Sequence, residues 1–144
     1  MDSPENQLNQ QQLESLISLA EADTDEGWAQ VDLILPQICN DPSVLSWARD
    51  STTNESSGLR DLSASILEAS DTPLIQDDIN KLELLMGDES YPGFRAACAL
   101  AKRISQEEIV AIKDLIEEKL KLFVDDEDAG VSEIAREYLG TLSE

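Results

Sequence analysis

Gly87-Asp88-Glu89-Ser90-Tyr91-Pro92-Gly93-Phe94-Arg95-Ala96-Ala97-Cys98-Ala99-Leu100-Ala101-Lys102-Arg103-Ile104 is the stretch on which the fold turns. A polar turn opens it. Pro92 follows, whose fixed φ and missing N–H suit the first turn of a helix. Ala96, Ala97, Cys98, Ala99 and Ala101 then form a dense run of small residues. Small side chains let a neighbouring helix approach closely. A solvent-facing helix needs no such run, so the stretch predicts an inner helix with Ala97, Cys98 and Ala101 turned inward.

The same pattern extends on both sides. Gly58, Gly93 and Gly130 share a register, followed by Leu59, Phe94 and Val131, then Leu62, Ala97 and Ile134, and then Ser63, Cys98 and Ala135. Spacings of this order between like units mark helical repeats, because one helix pair cannot bury its apolar face alone. A degenerate earlier copy starts at Gly27 with Trp28, Val31 and Leu35. Around these units the apolar residues recur every three or four positions, as on a helix face. Leu13, Leu16, Ile17 and Ala20 form one such set. Others are Val44, Leu45, Trp47 and Ala48, then Leu74, Ile75, Ile79, Leu82, Leu85 and Met86, then Ile109, Ile112, Ile116, Leu120 and Phe123.

Punctuation agrees with this spacing. Pro36 closes the helix that carries Trp28. Asp41-Pro42 and Asp71-Thr72-Pro73 read as a cap followed by proline. Ser105 and Glu108 have the spacing of a capping box, which starts the longest helix. The expectation is an all-α chain of about eight helices in four pairs. It forms a single domain over 1–144, with a polar, frayed N-terminus at 1–12, degenerate capping pairs over 13–50 and the best-matched repeats over 51–142.

In the Gly58 and Gly93 units the chain resembles the HEAT-repeat family of α-solenoids. The likeness is carried by Leu59-Arg60-Asp61-Leu62-Ser63-Ala64 and Phe94-Arg95-Ala96-Ala97-Cys98-Ala99. The resemblance implies a right-handed α-α superhelix of the armadillo-like kind. It also implies a ladder in which Arg60 and Arg95 meet acidic residues of the preceding turns. Asn54, Glu89 and Asp126 stand six residues before Arg60, Arg95 and Ser132, so no unit holds the full Asp–Arg pair.

Chemistry is constrained by what the chain carries. It has 31 acidic against 10 basic residues, a net charge of −21, and no histidine. A surface of that sign repels phosphate backbones, so nucleic acid is not an expected partner, and the DNA-glycosylase type of HEAT-like protein does not fit. Lack of histidine excludes Ser-His-Asp and Cys-His catalysis. Cys39 and Cys98 have no metal-type spacing and read as buried thiols of a reducing compartment. Asp125-Asp126-Glu127-Asp128 before Gly130 is not a calcium loop, because Ala129 and Arg136 would fall on ligand positions. No catalytic residue, metal or cofactor is expected.

No apolar run is long enough to span a bilayer, and the first residues lack a signal pattern. These readings together predict a cytoplasmic, non-catalytic protein-binding module whose acidic surface takes a basic protein partner. A toxin-neutralising immunity protein is its concrete form. The alternative is an accessory or chaperone subunit of an enzyme system, such as a lyase-like HEAT protein handling a cofactor. The candidate partner-binding residues lie in three acidic turns: Asp23, Asp25 and Glu26; Asp88, Glu89 and Tyr91; and Asp125, Asp126, Glu127 and Asp128.

Overall fold

A computed structural model describes residues 4–143, with side chains from residue 8 onward. The described residues are mainly helical, and none of them lies in a strand. It divides into two compact units, 1–72 and 73–144.

The first unit holds α1 (Pro4–Ala22), α2 (Asp25–Ile38), α3 (Pro42–Ser51) and α4 (Ser57–Ala69). α1 starts at Pro4, well ahead of the apolar set that begins at Leu13. It packs against the other three helices. It ends where Asp23 adopts a φ of 52°, the left-handed conformation that closes helices and that Asp tolerates better than most residues. The Asp23 N–H donates to Leu19 O at 3.2 Å. α2 runs through Pro36 to Ile38, two residues past the expected stop. A proline costs a helix one hydrogen bond. Here it falls in the last turn, where Cys39 N–H still reaches Leu35 O at 3.0 Å and Ile38 is buried. Asp41 caps α3 as predicted, its carboxylate accepting the Ser43 N–H at 2.8 Å.

α4 buries Leu59, Leu62, Ser63, Ile66 and Leu67, the face read from the sequence. Gly58 lets α4 approach α1: a Cβ there would sit 2.0 Å from Ala20 O. The Arg60 guanidinium turns back on the loop before α4. It donates to the carbonyl of Asn54 at 2.7 Å and to that of Glu55 at 3.1 Å. Through these two bonds Arg60 fastens the loop before α4 to the helix.

The second unit holds α5 (Gln76–Leu85), α6 (Tyr91–Lys102), α7 (Glu107–Val110), α8 (Lys113–Lys121) and α9 (Ala129–Leu142). α6 is its centre, packing against α5, α8 and α9. Its residues from Pro92 to Ala101 are buried, apart from half-buried Arg95, and Phe94, Ala97, Cys98 and Ala101 are completely enclosed. Phe94 meets Phe123 with ring centroids 4.8 Å apart. Burying a side chain of that size contributes roughly 1.5–3 kcal/mol. The inner helix predicted from the small-residue run is thus observed.

Three local expectations are corrected. The segment expected to be the longest helix is divided at Ala111 and Ile112, where Ile112 N–H bonds to Ile109 O over three residues instead of four. The division gives α7 its own contact with α5 while α8 lies against α6. The helix after Asp71-Thr72-Pro73 starts at Gln76, with the Asp78 carboxylate accepting the Ile75 N–H at 3.3 Å. The Ser105–Glu108 capping box does not form, because the N-cap is Gln106. The Gln106 amide is engaged elsewhere, accepting the Leu74 N–H at 3.0 Å and donating to Leu74 O at 2.8 Å. Those two bonds satisfy the extended backbone ahead of α5.

Candidate functional site

Seven of the ten candidate residues lie in the two turns of the second unit, α5–α6 and α8–α9, and the structure joins these turns. The Tyr91 hydroxyl donates to Asp126 Oδ2 at 2.9 Å, and the Tyr91 ring lies 6.1 Å from that of Phe123. A second tie comes from α8, where the Lys119 ammonium donates to Asp88 O at 2.6 Å. The α5–α6 turn is also tight by construction. A Cβ on Gly93 would sit 2.0 Å from Asp88 O. Gly93 and Gly58, matched in the sequence register, therefore both permit close backbone approach, but to different neighbours. Gly130, the third match, meets only its own cap at Asp128 Oδ1, 3.2 Å away.

The acids divide by their engagement. Asp88 accepts both the backbone N–H and the hydroxyl of Ser90, at 2.8 and 2.6 Å. Asp126 accepts Tyr91 and the Asp128 N–H. Asp128 is the N-cap of α9, taking the N–H groups of Gly130 and Val131. Asp125 forms an exposed ion pair with Arg136 at 3.4 Å. These four order the turns; Asp125 and Asp128 are exposed, Asp88 and Asp126 half-buried. Glu89 and Glu127 are exposed and have no hydrogen-bond or ion-pair partner among the described residues.

Tyr91 registers the local field. Its phenol is pushed up to about 12, first by donating to Asp126, then by burial, then by the negative charges of Asp126, Asp128 and Glu127. Each of these favours the neutral phenol over the phenolate.

The third predicted turn belongs to the first unit. Asp23 is engaged by Trp28, whose indole N–H donates to its carboxylate at 2.7 Å. Trp28 and Trp47 are each half-buried. Asp25 and Glu26 occupy the first turn of α2, behind the Thr24 cap, where their charges favour the helix N-terminus. Only Arg49 and Arg60 are basic in residues 1–72, so the field of this unit is negative with little compensation.

Sequence reasoning missed a groove beside the second-unit turns. It lies between α5 and α8, is open to solvent with a volume of about 930 Å³, and is walled by Glu83, Leu84, Met86, Leu115, Glu118 and Leu122. Its legible signal is a set of leucines out of phase with the core stripe. α5 buries Ile79, Leu82 and Leu85, and α8 buries Ile116 and Leu120, which leaves Leu84, Leu115 and Leu122 facing outward.

No group of three or more Cys, Asp or Glu side chains placed to hold one metal ion occurs among the described residues. Cys39 and Cys98 are both buried and form no disulfide. No described helix is long and apolar enough to cross a membrane. No protein-family model, curated protein or solved structure gives a significant match to this chain.

Proposed function

We propose that this chain is a cytoplasmic, HEAT-like helical-repeat protein that works as a non-catalytic binding module. Its acidic turns receive a basic protein partner. The observation that carries this reading is the net charge of −21, together with acidic turns that are ordered by internal hydrogen bonds and still leave Glu89 and Glu127 unengaged. An ordered acidic surface binds a cationic partner with less entropy lost than a flexible one, and its long-range field speeds the encounter. The concrete form is an immunity protein that neutralises a basic nuclease toxin by covering its cationic nucleic-acid face.

The test is calorimetric titration against basic nucleases encoded in the same gene neighbourhood, at low and high salt. Affinity that falls steeply with salt supports the reading. Salt-independent binding, or none, overturns the charge argument.

A further inference from the structure

Amphipathic helices normally turn their leucines to the core, and α5 and α8 depart from this in a coordinated way. Leu84 and Leu122 are 78% and 74% exposed, and Leu115 is 48% exposed. Leu115 and Leu122 are seven residues apart, so they lie on one stripe, separated by about two helical turns. Glu118 falls between them on the same stripe. On the facing wall, Asn80, Glu83 and Leu84 have the 3-4 spacing of one face of α5, and Gly87 follows just past its end. Both walls of the groove thus combine exposed leucine with glutamate. Lys119, which also lines it, has its ammonium committed to Asp88 O at 2.6 Å and lies 5.9 Å from the Phe123 ring centroid.

We infer that this groove docks an amphipathic helix of a partner protein, with leucine-like residues along one stripe and lysine or arginine beside it. The inference rests on the proposed function for the sign of the partner's charge and adds where and how the partner sits. About two turns of exposed leucine suit a guest helix presenting anchors at i, i+3 or i+4, and i+7. Glu83 and Glu118 on opposite walls then meet the guest's flanking cations. A second copy of this chain is a poor guest, since it would bring a net −21 surface against the same glutamates.

The probe is a fluorescein-labelled 14-residue peptide of leucine and lysine with its leucines at helical spacing, titrated into the whole chain by anisotropy. The peptide is expected to bind and to gain helical circular dichroism. Scrambling its leucines, or replacing lysine with glutamate, weakens binding about tenfold or more. The double variant Leu84→Ser, Leu122→Ser loses about tenfold in affinity, as removal of central apolar anchors does. These side chains are exposed, so the variant keeps its helical spectrum. Glu83→Lys with Glu118→Lys weakens binding independently of any apolar change. Glu89→Gln with Glu127→Gln leaves peptide affinity within about twofold.

Unchanged affinity in the leucine variant overturns the groove. If binding then follows Glu89 and Glu127, the acidic-turn reading survives without it. A leucine/glutamine peptide that binds as tightly, at any salt, overturns the basic partner and the charge reading with it. A wild-type dimer by sedimentation equilibrium that Leu84→Ser abolishes assigns the groove to self-association and overturns the proposal.

Discussion

The Tyr91 hydroxyl donates to the Asp126 carboxylate at 2.9 Å across 35 residues of chain. This bond joins the α5–α6 turn to the α8–α9 turn and links their two acidic clusters. Removing it tests the arrangement directly. Tyr91→Phe is expected to cost about 0.5–1.5 kcal/mol in chemical denaturation, the worth of an ordinary hydrogen bond, since exposure of the pair weakens the charged contact. Asp126→Asn is expected to lower the Tyr91 pKa, because it replaces the carboxylate acceptor by a weaker, neutral amide oxygen and removes one of the three charges. Ultraviolet difference titration reads both effects, with Tyr91→Phe identifying the late-titrating phenol. A phenol at position 91 that titrates near 10 would contradict the observed contact.

The same phenol sets the sign of an alkaline effect. Its folded-state pKa lies above the unfolded value, so its stabilising contribution is complete below about pH 10 and is lost as pH rises toward about 12. The stability gap between wild type and Tyr91→Phe should therefore shrink across that window. A gap that widens there would reverse the assignment.

Gly58 and Gly93 each face a backbone oxygen 2.0 Å from where a Cβ would stand. A carbonyl cannot swing aside as a flexible side chain can, so helix packing must shift. Gly58→Ala and Gly93→Ala are each expected to lower stability by about 1–3 kcal/mol, in the range of overpacked cores. Gly140 lies in α9, and a Cβ there would meet nothing within 4 Å. Gly140→Ala should be neutral or stabilise by up to about 1 kcal/mol. Urea midpoints of the three variants decide the matter, and equal losses at all three positions would disprove the steric account.

Asp41 holds the start of α3, and its carboxyl is held below its ordinary value. The Ser43 hydroxyl is the leading cause and the Asn9 amide the next, at 2.6 and 2.7 Å. A depressed carboxylate stabilises the fold above its unfolded pKa and loses that contribution as pH falls through the folded value. Asp41→Ala is expected to cost about 1 kcal/mol at neutral pH, as for other lost N-caps. The difference from wild type should narrow below pH 3.8. A constant difference down to about pH 2 would exclude the ionised cap.

Charge acts on the whole chain as well as on single bonds. At a net −21 the compact state repels itself. Raising sodium chloride from about 20 mM to about 500 mM shortens the screening length severalfold and should raise the Tm. A Tm that falls with salt would mean that favourable ion pairs outweigh the repulsion.

Much of the local structure is legible in the sequence. Small residues from Ala96 to Ala101 announce an inner helix, and α6 is that helix. The apolar face from Leu59 to Leu67 can be read because burial requires residues three and four apart to share a side. The Asp41 cap is legible for a related reason, since its bond spans only two residues. Sequence reasoning fails where a local signal competes with a distant partner. Gln106 binds the Leu74 backbone across 32 residues, and the Ser105–Glu108 box is left unformed. Likewise Pro36 reads as a stop, while burial of Ile38 carries α2 past it.

The sequence by itself determined the helical class, the inner face of α6 and the negative field, because periodicity, side-chain size and charge are properties of the chain alone. Only the tertiary structure decided which acids order turns and which stand unengaged. It also joined Tyr91 to Asp126 and set Leu84 opposite Leu115 and Leu122. Those relationships depend on chain segments far apart in sequence that meet only when the core is packed.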